Sequence, residues 1–251
     1  MAYSGKLKAD LSEGSKFVLW TRMQAEAGQG LELIIKRKER EREAGSGLFF
    51  WGVGNAPSAI INSVARMDTP VTVVFSRMKS KPKQVDQKPA TTVIWRRYVD
   101  CEGKVRDLPP NALVTSRGES ALRSKRIHYA LECRSVEPLR LNDRAEQFHP
   151  SAYRNAGGTG APVGNSQVTS LLLPAKESPP DGPSAYFVHM RAVLAGSYWV
   201  KLLDPLPLPS SALEVIDRAH IDQLDWTAFV TKLREGPINT TVDDDAPLLL
   251  L

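Results

Sequence analysis

The sequence predicts an α+β fold built mostly from antiparallel β-structure, as a barrel or sheet. Three observations carry that reading. About seven to nine short apolar or alternating segments follow one another without regular helical insertions. Gly, Pro and Asn clusters separate them, as turns require. Helical periodicity appears early, before the second strand, and again near the end, which is the ordering of an α+β rather than an α/β chain.

Residues 1–15 carry charges without an apolar stretch and are expected to be a flexible leader without a secretory signal. Lys16–Met23 is a short apolar run that reads as a strand. From Leu31 to Ala44 the apolar residues Leu31, Ile34 and Ile35 share a face, and the rest is an alternating-sign run. Glu32/Lys36 and Arg37/Glu41 are spaced i,i+4, so a helix with a solvated charged face is expected, stopped by Gly45 and Gly47. Leu48–Val53 reads as a buried strand and Pro57–Arg66 as a short helix with Pro57 in its first turn. Strands follow at Val71–Ser76 and Thr91–Val99, a turn at Cys101–Lys104 and a small edge strand at Leu113–Ser116. Ile127–Val136 alternates cleanly, with Tyr129, Leu131 and Cys133 on one face.

Beyond Leu141 the texture changes. Gly/Pro-rich loops flank a strand at Gln167–Leu173. Tyr186–Leu194 and Tyr198–Leu203 read as a hairpin joined at Gly196, after which Pro205, Pro207 and Pro209 should break regular structure. Ser210 or Ser211 can cap one helix and Asp225 another, which Gly236-Pro237 ends. Four regions are expected: the leader, a core over 16–145, a strand-and-helix extension packed on it over 146–235, and a disordered acidic tail over 236–251.

A chain of 251 residues with 42% apolar and 24% charged content suits a soluble globular protein. No apolar run approaches membrane-spanning length, and the two cysteines, Cys101 and Cys133, suggest a reducing cytoplasm. They and the four histidines lack metal-ligand spacing, so neither metal nor cofactor is expected. Charge is uneven: residues 1–144 carry a net +10, the remainder −5, and the Arg66–Arg97 window alone +6. Such a field attracts polyanions, which makes DNA or RNA the expected partner.

Four pieces of the middle of the chain fit a known pattern. They are Trp20 in Phe17-Val18-Leu19-Trp20, then Trp51-Gly52-Val53-Gly54-Asn55, then Val73-Val74-Phe75-Ser76, with Asn55 and Ser76 21 positions apart, and the strand Tyr129–Val136 followed by Pro138-Leu139. Over about residues 16–140 the chain resembles an EVE domain of the PUA-like superfamily, which also holds the ASCH and YTH modules. Asp68-Thr69-Pro70 stands where the family has a Gly-Asp turn. The family's Lys-Ser pair after the first strand is absent, and the basic segment 77–88 has no family counterpart.

The resemblance implies a PUA-like β-barrel and a non-catalytic reader of a flipped base, modified or not, in a setting such as phage defence or a mobile element. Its base pocket would comprise Trp20, Trp51, Asn55 and Ser76, to which the 91–99 strand adds Trp95; apart from the resemblance, the cations Arg77, Lys79, Lys81 and Lys83 beside Ser76, with Arg97, are placed to meet phosphates. Stacking is worth on the order of 1–3 kcal/mol per base, enough to offset much of the cost of extrusion. Other roles suit the same residues: Trp51 beside two Phe fits a core, and Asn55 fits a helix cap. By parity Trp95 and Tyr98 face opposite ways, with Arg97 beside Trp95. Two alternatives stand. Asp100, Glu102, Lys104 and Asp107 loosely resemble the acidic–lysine set of a metal-dependent nuclease. The apolar Leu202–Pro209 segment could make the C-terminal third a protein-interaction scaffold.

Overall fold

The computed structural model describes residues 17–23, 29–53, 70–78, 91–117, 122, 127–139, 146–156, 169–174, 186–218 and 221–236. Within them the chain runs β1 (Val18–Arg22), α1 (Leu31–Ala44), β2 (Leu48–Val53), β3 (Thr72–Met78), β4 (Thr92–Val99), β5 (Val105–Asp107), β6 (Thr115–Arg117) and β7 (Tyr129–Arg134). It continues with β8 (Glu146–Phe148), β9 (Tyr153–Asn155), β10 (Thr169–Pro174), β11 (Tyr186–Leu208), α2 (Ser210–Arg218) and α3 (Trp226–Glu235). No helix among them is long and apolar enough to cross a membrane. The leader, the Pro57–Arg66 helix and the tail beyond Gly236 lie outside the described residues.

All eleven strands belong to one sheet, ordered β2-β7-β11-β3-β1-β10-β9, with β4, β5, β6 and β8 attached beside that path. Every pairing is antiparallel except β1 with β3, whose crossover contains α1 and β2. The α+β, mostly antiparallel class therefore holds, but the expected closed barrel does not. The sheet is open, and no strand ladder among the described residues joins β2 to β6 or to β9.

The central strand comes from the C-terminal third. β11 pairs with β3, β4, β7 and β8, and β10 pairs with β1. Strands from both sides of residue 145 thus share the one sheet. Nor is there a hairpin at Gly196: β11 passes through it with register shifts between Val188 and Met190 and between Leu194 and Trp199. These irregularities let one strand bend and change neighbours without reversing. Pro205 and Pro207 also sit inside β11, opposite Trp95 and Val93 of β4. The β7 ladder ends at Lys201, so beyond it β11 has β4 on one edge and no strand among the described residues on the other, and a missing N–H is tolerated.

Burial divides the sheet into two faces. Leu19, Val73 and Phe75 point toward one cluster, which Leu31, Ile34 and Ile35 of α1 cover. Trp20 and Val74 point the other way, onto Phe148, Leu172 and Tyr186. A third cluster lies among β2, β4, β7 and β11, holding Phe50, Trp95, Tyr98, Ala130 and Val200. The last joins α2 and α3 to Ile94 and Leu113. Asp225 caps α3 by accepting from Ala228 N at 3.1 Å, as its position predicts.

The charged face of α1 departs most from expectation. Glu32 and Lys36 form the expected exposed i,i+4 pair at 3.5 Å. Arg37, Lys38 and Glu41 are instead buried, at 2%, 3% and 0% exposure. Lys38 Nζ donates to Glu41 Oε2 at 2.6 Å, to Leu113 O at 2.8 Å and to Phe50 O. Glu41 in turn accepts from Phe50 N at 2.6 Å and from Leu113 N at 3.4 Å. The pair thus satisfies both backbone groups of Phe50, on the edge of β2 away from β7, and both of Leu113, two residues before β6. The two backbones run close together here, since a Cβ at Gly52 would stand 3.7 Å from the Thr115 carbonyl oxygen and 3.1 Å from the Val114 side chain. Where the hydrogen-bonded ladder is open, side chains span the gap. The turn after α1 is equally constrained: Gly47 has a φ of 91°, and a Cβ at Gly45 would collide with the Leu48 carbonyl.

Removing one member of a buried ion pair strands the other. Glu41→Ala should lower unfolding free energy by about 3–5 kcal/mol, whereas the exposed Glu32→Ala should cost roughly 1 kcal/mol or less. Urea titration of both variants checks the contrast. Burial, opposed by Glu41, lowers the Lys38 amine from its ordinary 10.5 to about 8. Between those values the unfolded chain holds more protons than the folded one, so this group adds stability as pH rises from 8 to 10.5 and is flat below 8. That rise should vanish in Lys38→Met.

Candidate functional site

Among the described residues, Trp20 and Ser76 are the one pair of sequence-predicted pocket residues that the structure brings into contact. Parallel pairing of β1 with β3 sets Trp20 opposite Val74 and Arg22 opposite Ser76, so Trp20, Val74 and Ser76 share a face. The Trp20 Nε1–H donates to Ser76 Oγ at 2.7 Å, and both residues are enclosed. Tyr186 packs edge-on against Trp20 at 4.9 Å, and Phe148 lies 5.3 Å away. Tyr153 stacks on Phe148 at 5.0 Å and is half-buried, so the aromatic wall continues outward. The Arg22 guanidinium carbon lies 5.9 Å from the Trp20 ring centroid. Arg77, half-buried, follows Ser76 at the point where β3 leads into the basic segment.

The other indoles are elsewhere. Trp51 sits edge-on to Phe75 at 5.0 Å, and Phe75 points to the face opposite Val74 and Trp20. Trp95 belongs to the cluster among β2, β4, β7 and β11, with its ring 5.0 Å from His128. Three indoles therefore occupy three separate clusters, each at 9% exposure or less, and do not line a common hollow. Asn55, Lys79, Lys81 and Lys83 lie outside the described residues.

Parity misplaces Tyr98. It joins Trp95 in the same cluster, while Arg96 and Arg97 between them are both exposed. Opposite Arg96 on β11 lies Asp204, whose φ of 55° marks a local irregularity, and Arg97 pairs with Asp204. Burial, with Glu132 as the next cause, raises the Tyr98 phenol above its ordinary range.

The acidic set at the β4–β5 turn is occupied structurally. Asp100 accepts from the backbone N–H groups of Glu102 and Lys104 and pairs with Arg106 at 2.6 Å, while Glu102 pairs with Lys104 at 2.8 Å. No group of three His, Cys, Asp or Glu residues among the described residues could hold a metal ion. The Leu202–Pro209 segment, where the prolines should break regular structure, is paired β-strand through Leu208.

Sequence reasoning passed over several polar groups. Gln29 is buried, and neither side-chain amide atom has a hydrogen-bond partner among the described residues. Arg37 and Arg234 also hold buried N–H groups in that condition. Only the helical stripe through residues 31, 34, 35, 38 and 41 could have flagged the interior of α1. Comparison with known protein families, with curated protein sequences and with solved structures found no match to this chain.

The Trp20–Ser76 bond is testable. Ser76→Ala leaves a buried indole N–H unsatisfied and should cost about 1–3 kcal/mol. In a double-mutant cycle with Trp20→Phe, a coupling of about 1 kcal/mol is expected from denaturation midpoints.

Proposed function

We propose that the chain is a non-catalytic nucleic-acid-binding protein whose contact surface is the outer end of the β1–β3 pair. One observation supports this reading above others: the basic segment 77–88, with five cations and one carboxylate, follows directly on Ser76 in sequence, and Ser76 bonds to an aromatic wall beside Arg22. Arg77, Lys79, Lys81, Lys83 and Lys88 supply phosphate contacts, each releasing counterions from the polyanion. The Trp20–Ser76 bond ties β1 to β3 two residues before β3 ends at Met78. With Trp20 enclosed, stacking on a base, modified or not, falls to the half-buried Tyr153, whose ring extends the wall toward solvent. Arg97 is committed to Asp204 and drops out of the phosphate set.

A metal-dependent nuclease is the weaker reading, because Asp100 and Glu102 are engaged in their own turn. Binding of fluorescent single-stranded and duplex oligonucleotides at about 50 and 200 mM salt tests the proposal. Affinity should fall steeply with salt and survive chelator, without cleavage. Lys79→Glu with Lys81→Glu and Lys83→Glu should flatten the logarithmic salt slope by about 0.9 per lost contact. Tyr153→Ala should weaken single-strand binding by about 1–3 kcal/mol. Salt-insensitive binding, or none, removes the nucleic-acid reading; metal-dependent cleavage lost on Asp100→Ala would replace it.

A further inference from the structure

Three partly exposed arginines of α1 and the sheet take carboxylates as partners: Arg42 holds Glu39, Arg97 holds Asp204 and Arg106 holds Asp100. Arg22 departs from that pattern. It is half-buried, yet its side chain makes no hydrogen bond or ion pair among the described residues, and its Nε is enclosed without an acceptor. The contact it does make is with a ring, the guanidinium carbon lying 5.9 Å from the Trp20 centroid. Trp20 is itself held by Ser76 Oγ at 2.7 Å and by the edge-on ring of Tyr186.

Strand register gives this arginine a fixed place. Arg22 is the last residue of β1, and parallel pairing sets it opposite Ser76 of β3. The Met23 N–H donates to Ser76 O at 2.7 Å, which pins the chain just after Arg22. Arg77 comes next in β3, and the basic segment follows it in sequence, so the charges next along the chain from Ser76 repel Arg22 rather than neutralise it. A guanidinium packed on an indole has lost part of its hydration and gains more from an anion than a fully solvated one does. Its planar fork takes two oxygens of one phosphate group, where a lysine offers a point charge.

We infer that Arg22 is the specificity-determining phosphate contact of the β1–β3 end, a two-point bond to the oxygens of one phosphate group, with Trp20 holding the guanidinium in place. This rests on the nucleic-acid reading and adds to it. The lysines of 77–88 supply charge that any phosphate can meet, whereas Arg22 selects the one phosphate that sits at the strand ends and so sets the register of the bound strand. A backbone phosphodiester and a terminal phosphomonoester both present the two oxygens that the fork requires.

Fluorescence anisotropy of the full chain with single-stranded oligonucleotides bearing a terminal phosphate or a terminal hydroxyl, over a series of salt concentrations, tests the inference. Arg22→Met should weaken binding about tenfold, as loss of a charged hydrogen-bonded contact does. It should also flatten the logarithmic salt slope by about 0.7, the share of one phosphate on a single strand. Arg22→Lys keeps the charge and loses the fork, so it should restore the slope while affinity stays severalfold low, a split that a merely structural role would not produce. Circular dichroism establishes that each variant is folded, and Arg22→Lys, the milder change, decides the matter alone if Arg22→Met is not. Arg96→Met, an exposed arginine on β4, which pairs with neither β1 nor β3, should leave binding unchanged. A loss confined to the phosphorylated oligonucleotide assigns the contact to a terminal phosphomonoester, and an equal loss on both assigns it to the backbone. Steep salt-dependent binding by the wild type that a folded Arg22→Met retains in full, or that Arg22→Lys rescues in full, overturns this contact and leaves the nucleic-acid reading standing. Absence of salt-dependent binding in the wild type removes both.

Discussion

The buried Lys38–Glu41 pair is the constraint on which the architecture turns. A strand at the end of a sheet presents alternate N–H and C=O groups that must be satisfied or left to water. At Phe50 those groups face inward, toward a helix, where water cannot reach them. An ammonium and a carboxylate three residues apart on α1 supply a donor and an acceptor to Phe50 and the same to Leu113. Apolar side chains would fill the space but leave four backbone groups unpaired. Here the ion pair is retained because it substitutes for a missing strand ladder, which is a stronger reason than its own electrostatic attraction.

Several other features follow. β2 can stay next to β6 without pairing with it, so Phe50, Val93, Trp95, Tyr98 and Val200 are enclosed as one cluster although the sheet is open. α1 is held against the sheet at its C-terminal half by charge and at its N-terminal half by Leu31, Ile34 and Ile35. α3 closes over the same place, with Trp226 Nε1 donating to Asn111 O at 3.0 Å and Asn111 Nδ2 to Glu41 O at 3.0 Å. Enclosure of this kind consumes aromatic residues. Trp51, Trp95 and Trp20 each stabilise a different cluster, which shifts the proposed recognition to Tyr153 and the cations beyond Ser76.

Much of the fold was legible because its signals are local. The alternation of Tyr129, Leu131 and Cys133, the stop at Gly45–Gly47 and the Asp225 cap all depend on neighbours in sequence, and all appear where expected. Pairing was not legible. Nothing local says that β11 continues through Gly196 and two prolines, because its course is decided by β3, β4 and β7 lying hundreds of atoms away in the chain. The charges of α1 misled for the same reason. Opposite signs at i,i+4 look like a solvated face, yet Lys38 and Glu41 continue the apolar stripe of Leu31, Ile34 and Ile35. Within the candidate site, the Trp20–Ser76 contact could be anticipated from two strand segments. The separation of Trp20 from Trp51 could not, since it depends on which side of β3 each strand packs.

The direct test of this account is native-state hydrogen exchange at the Phe50 and Leu113 amides. If Glu41 holds both, they should exchange only through opening of the whole sheet, with the same protection as the paired strand amides of β7. Fast exchange at Phe50 and Leu113 beside slow exchange in β7 would mean that the edge of β2 opens freely to water, and the ion pair would lose its role as the bridge.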